Sequence, residues 1–278
     1  MLDVVLIDYA RDPLTKLYGA YRTCYTQKTP REVWAEIESE PGRALQLDPT
    51  VTEERRKKPE EISNFVKERL KTGHVSPLEQ VVFWFGISGV SRALSHQLVR
   101  HRIGISFEQQ SQRYVRYKGD QLDFVKPKSW EKFPILNERY EALMRDIGSL
   151  YSIAVKSGIP NEDARFILPN AMPTNFQVMV NFAELLHIAD LRLCWRAQWE
   201  IRRMVALMRA EVKKAVPELA AFIQPKCGEN RSGSCDESLK DYHACPLSKV
   251  RPHKQELLDL WKDARALTEE QMSPPETP

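Results

Sequence analysis

A chain of 278 residues, 42% hydrophobic and 28% charged, has the length for one large domain with additions and the composition of a soluble globular protein. Its net charge of +3 is too small for general nucleic-acid binding, no apolar run is long enough to span a bilayer, and residues 1–7 lack the basic start of a signal peptide. The expectation is a cytoplasmic protein with no membrane and no nucleic-acid partner, and the sparse cysteines, Cys24, Cys194, Cys227, Cys235 and Cys245, give no argument for secretion.

Residues 4–7 suit a buried strand, 14–21 a helix, and 30–38 a short helix opened by Pro30. Residues 40–58, with three prolines nearby and a charge run at 53–58, read as a solvated excursion. Residues 60–71 place Ile62, Phe65, Val66 and Leu70 on one helical stripe, and 73–79 turn the chain through Gly73 and Pro77. The β-branched and aromatic run 81–87 is the strongest strand. Residues 91–102 read as a helix, in which positions four apart, such as Gln97 and His101, share a face.

Loop and strand are expected over 106–117, near-helical spacing over 130–155, a short helix from Pro160 that presents Arg165, and a strand over 176–180. Residues 181–210 read as one long apolar helix, with Asn181 and Arg192 on one face about 16 Å apart. An arginine in an apolar stripe must meet an acid, a carbonyl or a ligand. Cys227, Cys235, His243 and Cys245 have zinc-compatible side chains but no tight Cys-x-x-Cys pair, so no metal is expected. Residues 255–267 suit a short amphipathic helix, and 273–278 are too proline-rich and polar to fold.

The most unbalanced stretch lies in the middle. Between residues 92 and 118 stand Arg92, Arg100, Arg102, Arg113, Arg116, Lys118, His96 and His101 against the single acid Glu108. The arginines alternate with Leu94, Leu98, Val99, Ile103, Ile105 and Phe107, which implies a half-buried segment whose guanidiniums need anionic partners. An anion site is therefore preferred to a solvated basic face.

Arg100-His101-Arg102, a spacer, then Ser111-Gln112-Arg113-Tyr114 resembles the signature of the flavin-dependent thymidylate synthases. The resemblance runs over about residues 21–208, and the spacer from 103 to 110 is one residue longer than usual. It implies an α+β fold with helices around a sheet, a catalytic unit over 1–215, a C-terminal extension over 216–278, and a homotetramer with shared active sites. It also implies methylation of deoxyuridylate to thymidylate, with methylene-tetrahydrofolate as carbon donor and NADPH reducing a bound FAD.

Carried over by position, FAD would be held by His74, Ser76, Arg100, His101, Arg102, Gln109, Asn181 and His187, with Ala183 offering only backbone. Deoxyuridylate would meet Gln97, Arg100, Gln109, Gln110, Ser111, Gln112 and Arg113, with Arg165 and Arg192 reaching in from the C-terminal half. Arg192 is the expected catalytic group, polarising the pyrimidine by favouring loss of its N3 proton. Arg196 stands where the family often has histidine and could replace a lost positive charge. A nucleic-acid-binding module that stacks bases on Tyr114 and Tyr117, and a flavoprotein reductase, are the alternatives.

Overall fold

A computed structural model describes residues 2–37, 58–117 and 122–263, and the expected excursion at 40–58, save Lys58, and the tail at 273–278 lie outside them. The chain opens on β1 (Asp3–Tyr9), α1 (Pro13–Cys24), α2 (Pro30–Ile37) and α3 (Pro59–Leu70). Each of these helices starts on proline, whose missing N–H would be unsatisfied there anyway and whose φ is already helical. A tight turn at Ser76–Gln80 leads into β2 (Val82–Ser91), α4 (Arg92–Leu98) and β3 (Ile105–Gln109). Then come α5 (Pro134–Lys156), α6 (Asn161–Ala164), β4 (Pro173–Asn181), α7 (Phe182–Arg192), α8 (Trp199–Ala215), α9 (Pro217–Ala220), α10 (Leu239–Ala244) and α11 (Lys254–Asp263).

The four strands form one antiparallel sheet in the order β1-β2-β4-β3. Helices gathered on an antiparallel sheet make this the expected α+β fold. Strand alternation decides which face is covered. Phe83, Phe85 and Ile87 from β2 and Phe176, Val178 and Val180 from β4 are all 3% exposed or less, whereas Val5 and Ile7 of β1 are 48% and 54% exposed. The buried face meets α8, whose Ile201, Met204, Val205, Met208 and Val212 recur at helical spacing and are fully buried. Each such side chain contributes about 1.5–3 kcal/mol. The first turns after residue 215 belong to the same core, through Val216, Leu219, Phe222 and Ile223.

Three expected elements are corrected, each at a site residue. The helix expected over 181–210 breaks at 193–198 into α7 and α8, because the Gln198 side chain accepts the Glu200 and Ile201 N–H groups at 2.9 and 3.2 Å and so starts a new helix. The helix expected to reach Arg102 stops at Leu98. The strand expected within 106–117 ends at Gln109, as far as its pairing with β4 extends.

Candidate active site

The site is built where two strands hand over to two helices. Ser91 ends β2 and caps α4, its Oγ accepting the Leu94 N–H at 3.0 Å. The Glu200 carboxylate, 2% exposed, receives the Ser91 N–H at 2.7 Å and the Ser91 hydroxyl at 2.5 Å. A buried carboxylate is costly without such donors, and here it bolts the start of α4 to the start of α8. In the same manner Asn181 ends β4 and caps α7, its Oδ1 accepting the Glu184 N–H at 2.9 Å.

Between the two helices lies a chain of three side chains. Arg192, the last residue of α7, donates from Nε to His101 Nε2 at 3.2 Å and from Nη2 to the Gln97 carbonyl at 3.2 Å. His101 Nδ1 meets Glu184 Oε1 at 2.8 Å, and the imidazole is 5% exposed. Burial first, then the Arg192 and His187 charges, pushes the His101 pKa down to about 4. A neutral ring whose Nε2 accepts from Arg192 must carry its proton on Nδ1 and donate it to Glu184. Burial pushes the Glu184 carboxyl up, with His187 opposing, while the bond from Nδ1–H favours the carboxylate.

Among the described residues, His101, Glu184 and His187 are the one trio with possible metal-ligand atoms within 4.8 Å of one another. Both His101 nitrogens are already engaged, so the trio serves hydrogen bonding. Arg192 thus meets a carbonyl and an imidazole, and its neighbouring acid Asp190 is taken by Arg231 at 2.6 and 2.7 Å. Burial lowers the Arg192 pKa from the ordinary guanidinium value.

Around this chain the signature is folded back onto β4. Gly104 has φ +69, and its carbonyl oxygen accepts the Asn181 N–H at 2.7 Å. A Cβ there would sit 2.2 Å from Asn181 Nδ2, so only glycine fits. Gln109 donates to Thr174 Oγ1 at 3.1 Å, and Gln110 Oε1 accepts from Asn175 Nδ2 at 3.0 Å. The Ser111 hydroxyl accepts the Arg113 N–H at 3.2 Å, and Gln112 lies half-buried in the same turn. Arg113 and Arg165, far apart in sequence, converge on Glu162: Arg113 reaches its carboxylate at 2.7 Å and Arg165 its backbone oxygen at 3.0 Å. Burial lowers the Arg92 pKa, with Tyr117 opposing and Arg165 adding to it, so a third guanidinium shares this region.

The expected half-burial of the signature arginines is not found. Arg100, Arg102 and Arg113 are exposed and Ile103 is 79% exposed, because α4 stops at Leu98 and the following turn leaves the core. Among the described residues Arg100 and Arg102 meet no acid. His74 and Ser76 form a separate group, with His74 bonded to Tyr25 Oη at 2.8 Å and to Ser76 Oγ at 3.1 Å. The turn that carries Ser76 packs on α7. His187 is exposed, with its ring 5.6 Å from that of His101, and Ala183 packs against the core. Arg196 is drawn away to Glu237 at 2.6 Å and Asp241 at 3.3 Å, and so replaces no charge beside His101. Sequence reasoning missed Glu184, Glu200 and Tyr25. Glu184 had a signal, as an acid three residues before His187 in an apolar helix. A cavity of about 940 Å³ lies elsewhere, between α5 and residues 116–117 and 122–126.

The family model for "Thymidylate synthase complementing protein" matches residues 5–218. The chain belongs to this family. Among its relatives, the flavin-dependent thymidylate synthase of Nitratidesulfovibrio vulgaris is 39% identical over 242 residues, 84% of this chain and 91% of that one. The Pyrococcus abyssi enzyme of the same name is 38% identical over 234 residues, 82% of this chain and 87% of that one. The Helicobacter pylori protein ThyX, solved with FAD and dUMP, superposes with a TM-score of 0.57 at 18% identity, covering 80% of this chain and 99% of that one. The last likeness concerns the fold alone. No helix among the described residues is long and apolar enough to cross a membrane.

Proposed function

We propose that this member of the thymidylate synthase complementing protein family is a flavin-dependent thymidylate synthase. It methylates deoxyuridylate to thymidylate with methylene-tetrahydrofolate as carbon donor, and NADPH supplies electrons through FAD. The observation that carries the reading is Arg192 held by the Gln97 carbonyl and by neutral His101 at the edge of an arginine cluster in which, among the described residues, Arg100 and Arg102 meet no acid.

The donor set suits a flavin dinucleotide, because exposed guanidiniums without acid partners, Arg100 and Arg102, match pyrophosphate oxygens. His74, Ser76, Gln109, Asn181, His187 and the backbone at Ala183 complete the proposed cofactor contacts, with His101 positioned behind Arg192. When bound, the flavin supplies the redox chemistry. Arg113 and Arg165 hold the 5′-phosphate of deoxyuridylate, which displaces the Glu162 carboxylate from Arg113, and Gln97, Gln110, Ser111 and Gln112 line the nucleotide. With Nε and one Nη2 hydrogen fixed, Arg192 keeps its Nη1 hydrogens for a uracil oxygen. It stabilises negative charge that develops on the pyrimidine as N3 loses its proton.

The exposed apolar side chains beside the signature, Ile103 at 79%, Tyr114 at 78% and Phe166 at 84%, support a homotetramer whose subunits complete one another's sites. The catalytic unit is assigned to 1–215 and the extension to 216–278, whose first turns, to Ile223, pack into the catalytic core. The test is the visible spectrum of the purified protein followed by tritium release from 5-tritiated deoxyuridylate with folate and NADPH. A colourless protein that releases no tritium when FAD is added contradicts the reading.

A further inference from the structure

The sequence pattern argued against a metal because Cys227, Cys235, His243 and Cys245 lack a close pair. The fold changes the set. Cys194, two residues after the end of α7, lines one cavity with Cys227, Cys235, Arg192 and Arg196. Cys245 lies close enough to Cys227 to act on it electrostatically, as do Cys194 and Cys235. His243 is exposed, whereas these four thiols are all half-buried and in no disulfide; the fifth cysteine, Cys24, lies exposed on α1.

The segment that carries three of them has little else to hold it. Tyr242 is the one buried apolar side chain between Pro225 and His253. Its ties are polar: Arg231 to Asp190, Lys226 to Asp236, Arg196 to Glu237, and an isolated bridge between Cys235 and His253. A stretch that buries so little apolar surface needs a cross-link to hold one shape. The backbone N–H of Arg196 is aimed at the Cys194 sulfur, the kind of donor that supports a metal-bound thiolate.

Two observations separate the possible occupants. Four sulfurs on one zinc ion lie roughly 3.8 Å apart, from Zn–S distances of about 2.3 Å in a tetrahedron. Among the described residues no three of these thiols come within 4.8 Å of one another. In addition, zinc sites draw on Cys-x₂₋₄-Cys knuckles, and this chain has none among these positions. An iron–sulfur cluster sets its ligands further apart, since several irons stand between them, and it accepts scattered cysteines, the last often followed by proline, as in Cys245-Pro246.

We propose that Cys194, Cys227, Cys235 and Cys245 ligate an iron–sulfur cluster that staples residues 225–253 to the end of α7, next to Arg192. Full-length protein expressed with iron and purified without oxygen is to be analysed for iron, acid-labile sulfide and zinc, and by electron paramagnetic resonance after dithionite reduction. The expected result is iron and sulfide in equal amounts, about two to four of each per chain, with a cluster signal distinct from flavin. The Cys227→Ser and Cys235→Ser variants should lose both elements, and Cys24→Ser should keep them. One zinc per chain, no metal at all, or iron that survives both substitutions would overturn the proposal; the wild-type analysis decides even where a variant fails to fold.

Discussion

His101 is the residue on which the site's charge state turns. Its folded pKa of about 4 lies below the ordinary 6.5, so above pH 6.5 its full contribution to stability is present, and this is lost as pH falls from 6.5 through about 4. The loss is of the order of 3 kcal/mol. Glu184, raised from 4.5, acts in the opposite sense, with stability present at low pH and lost as pH rises through its folded value. Urea unfolding between pH 7 and 5 should therefore show wild-type stability falling toward acid, and His101→Gln should flatten that slope; equal slopes would remove the assignment.

Glu184→Gln keeps an acceptor for Nδ1–H and removes only the charge behind it. Tritium release should fall roughly 10–100-fold with little change in the KM for deoxyuridylate, as befits a hydrogen bond to a charged group. Gly104→Ala meets both the positive φ and the Asn181 side chain, and thermal denaturation should show a fall of about 2 kcal/mol or more in stability. That Arg192 meets a polar partner was legible in the sequence, because an arginine stood in an apolar stripe. For Glu184 the one signal was an acid in an apolar helix; its pairing with His101 was not legible, since the two are 83 residues apart.

At the level of elements, the two strand-to-helix handovers matter most. Both use a side chain that ends a strand and caps the next helix, Ser91 before α4 and Asn181 before α7, and the second partner of Ser91 is Glu200. Glu200→Ala leaves a buried Ser91 N–H without an acceptor and should cost about 3 kcal/mol, with activity reduced as α4 loosens; unchanged denaturation and kinetics would show that the bolt is dispensable. Strands over 81–87 and 176–180 and the helices at 60–71 and 130–155 were readable from apolar period alone. The break at 193–198 was not. Leu193, Trp195 and Trp199 continue a helical pattern of apolar residues, and it is the capping by Gln198 and the pull of Arg196 toward Glu237 that stop it.

For the whole molecule, the exposed apolar surface is organised rather than scattered. On α5, Leu136, Leu143 and Leu150 lie seven apart and are 50%, 54% and 52% exposed, with Ile135 and Ile153 at 72% and 57% beside them. A stripe of this kind on a 23-residue helix wants a partner surface. Leu143→Asp together with Leu150→Asp should give a smaller particle than wild type in sedimentation velocity, and activity should fall with it; a particle of unchanged size would place the interface elsewhere. Periodicity alone could not reveal this, because a stripe looks the same whether a neighbouring helix or another subunit covers it.

The central claim is that Arg192, braced by His101 and Gln97, activates the pyrimidine. It is tested most directly by tritium release from 5-tritiated deoxyuridylate with FAD, methylene-tetrahydrofolate and NADPH, comparing wild type with Arg192→Ala in protein of unchanged oligomeric state. Release should be lost by about three orders of magnitude or more in the variant, as for removal of a preorganised group at developing charge. Release at the wild-type rate from Arg192→Ala would contradict it.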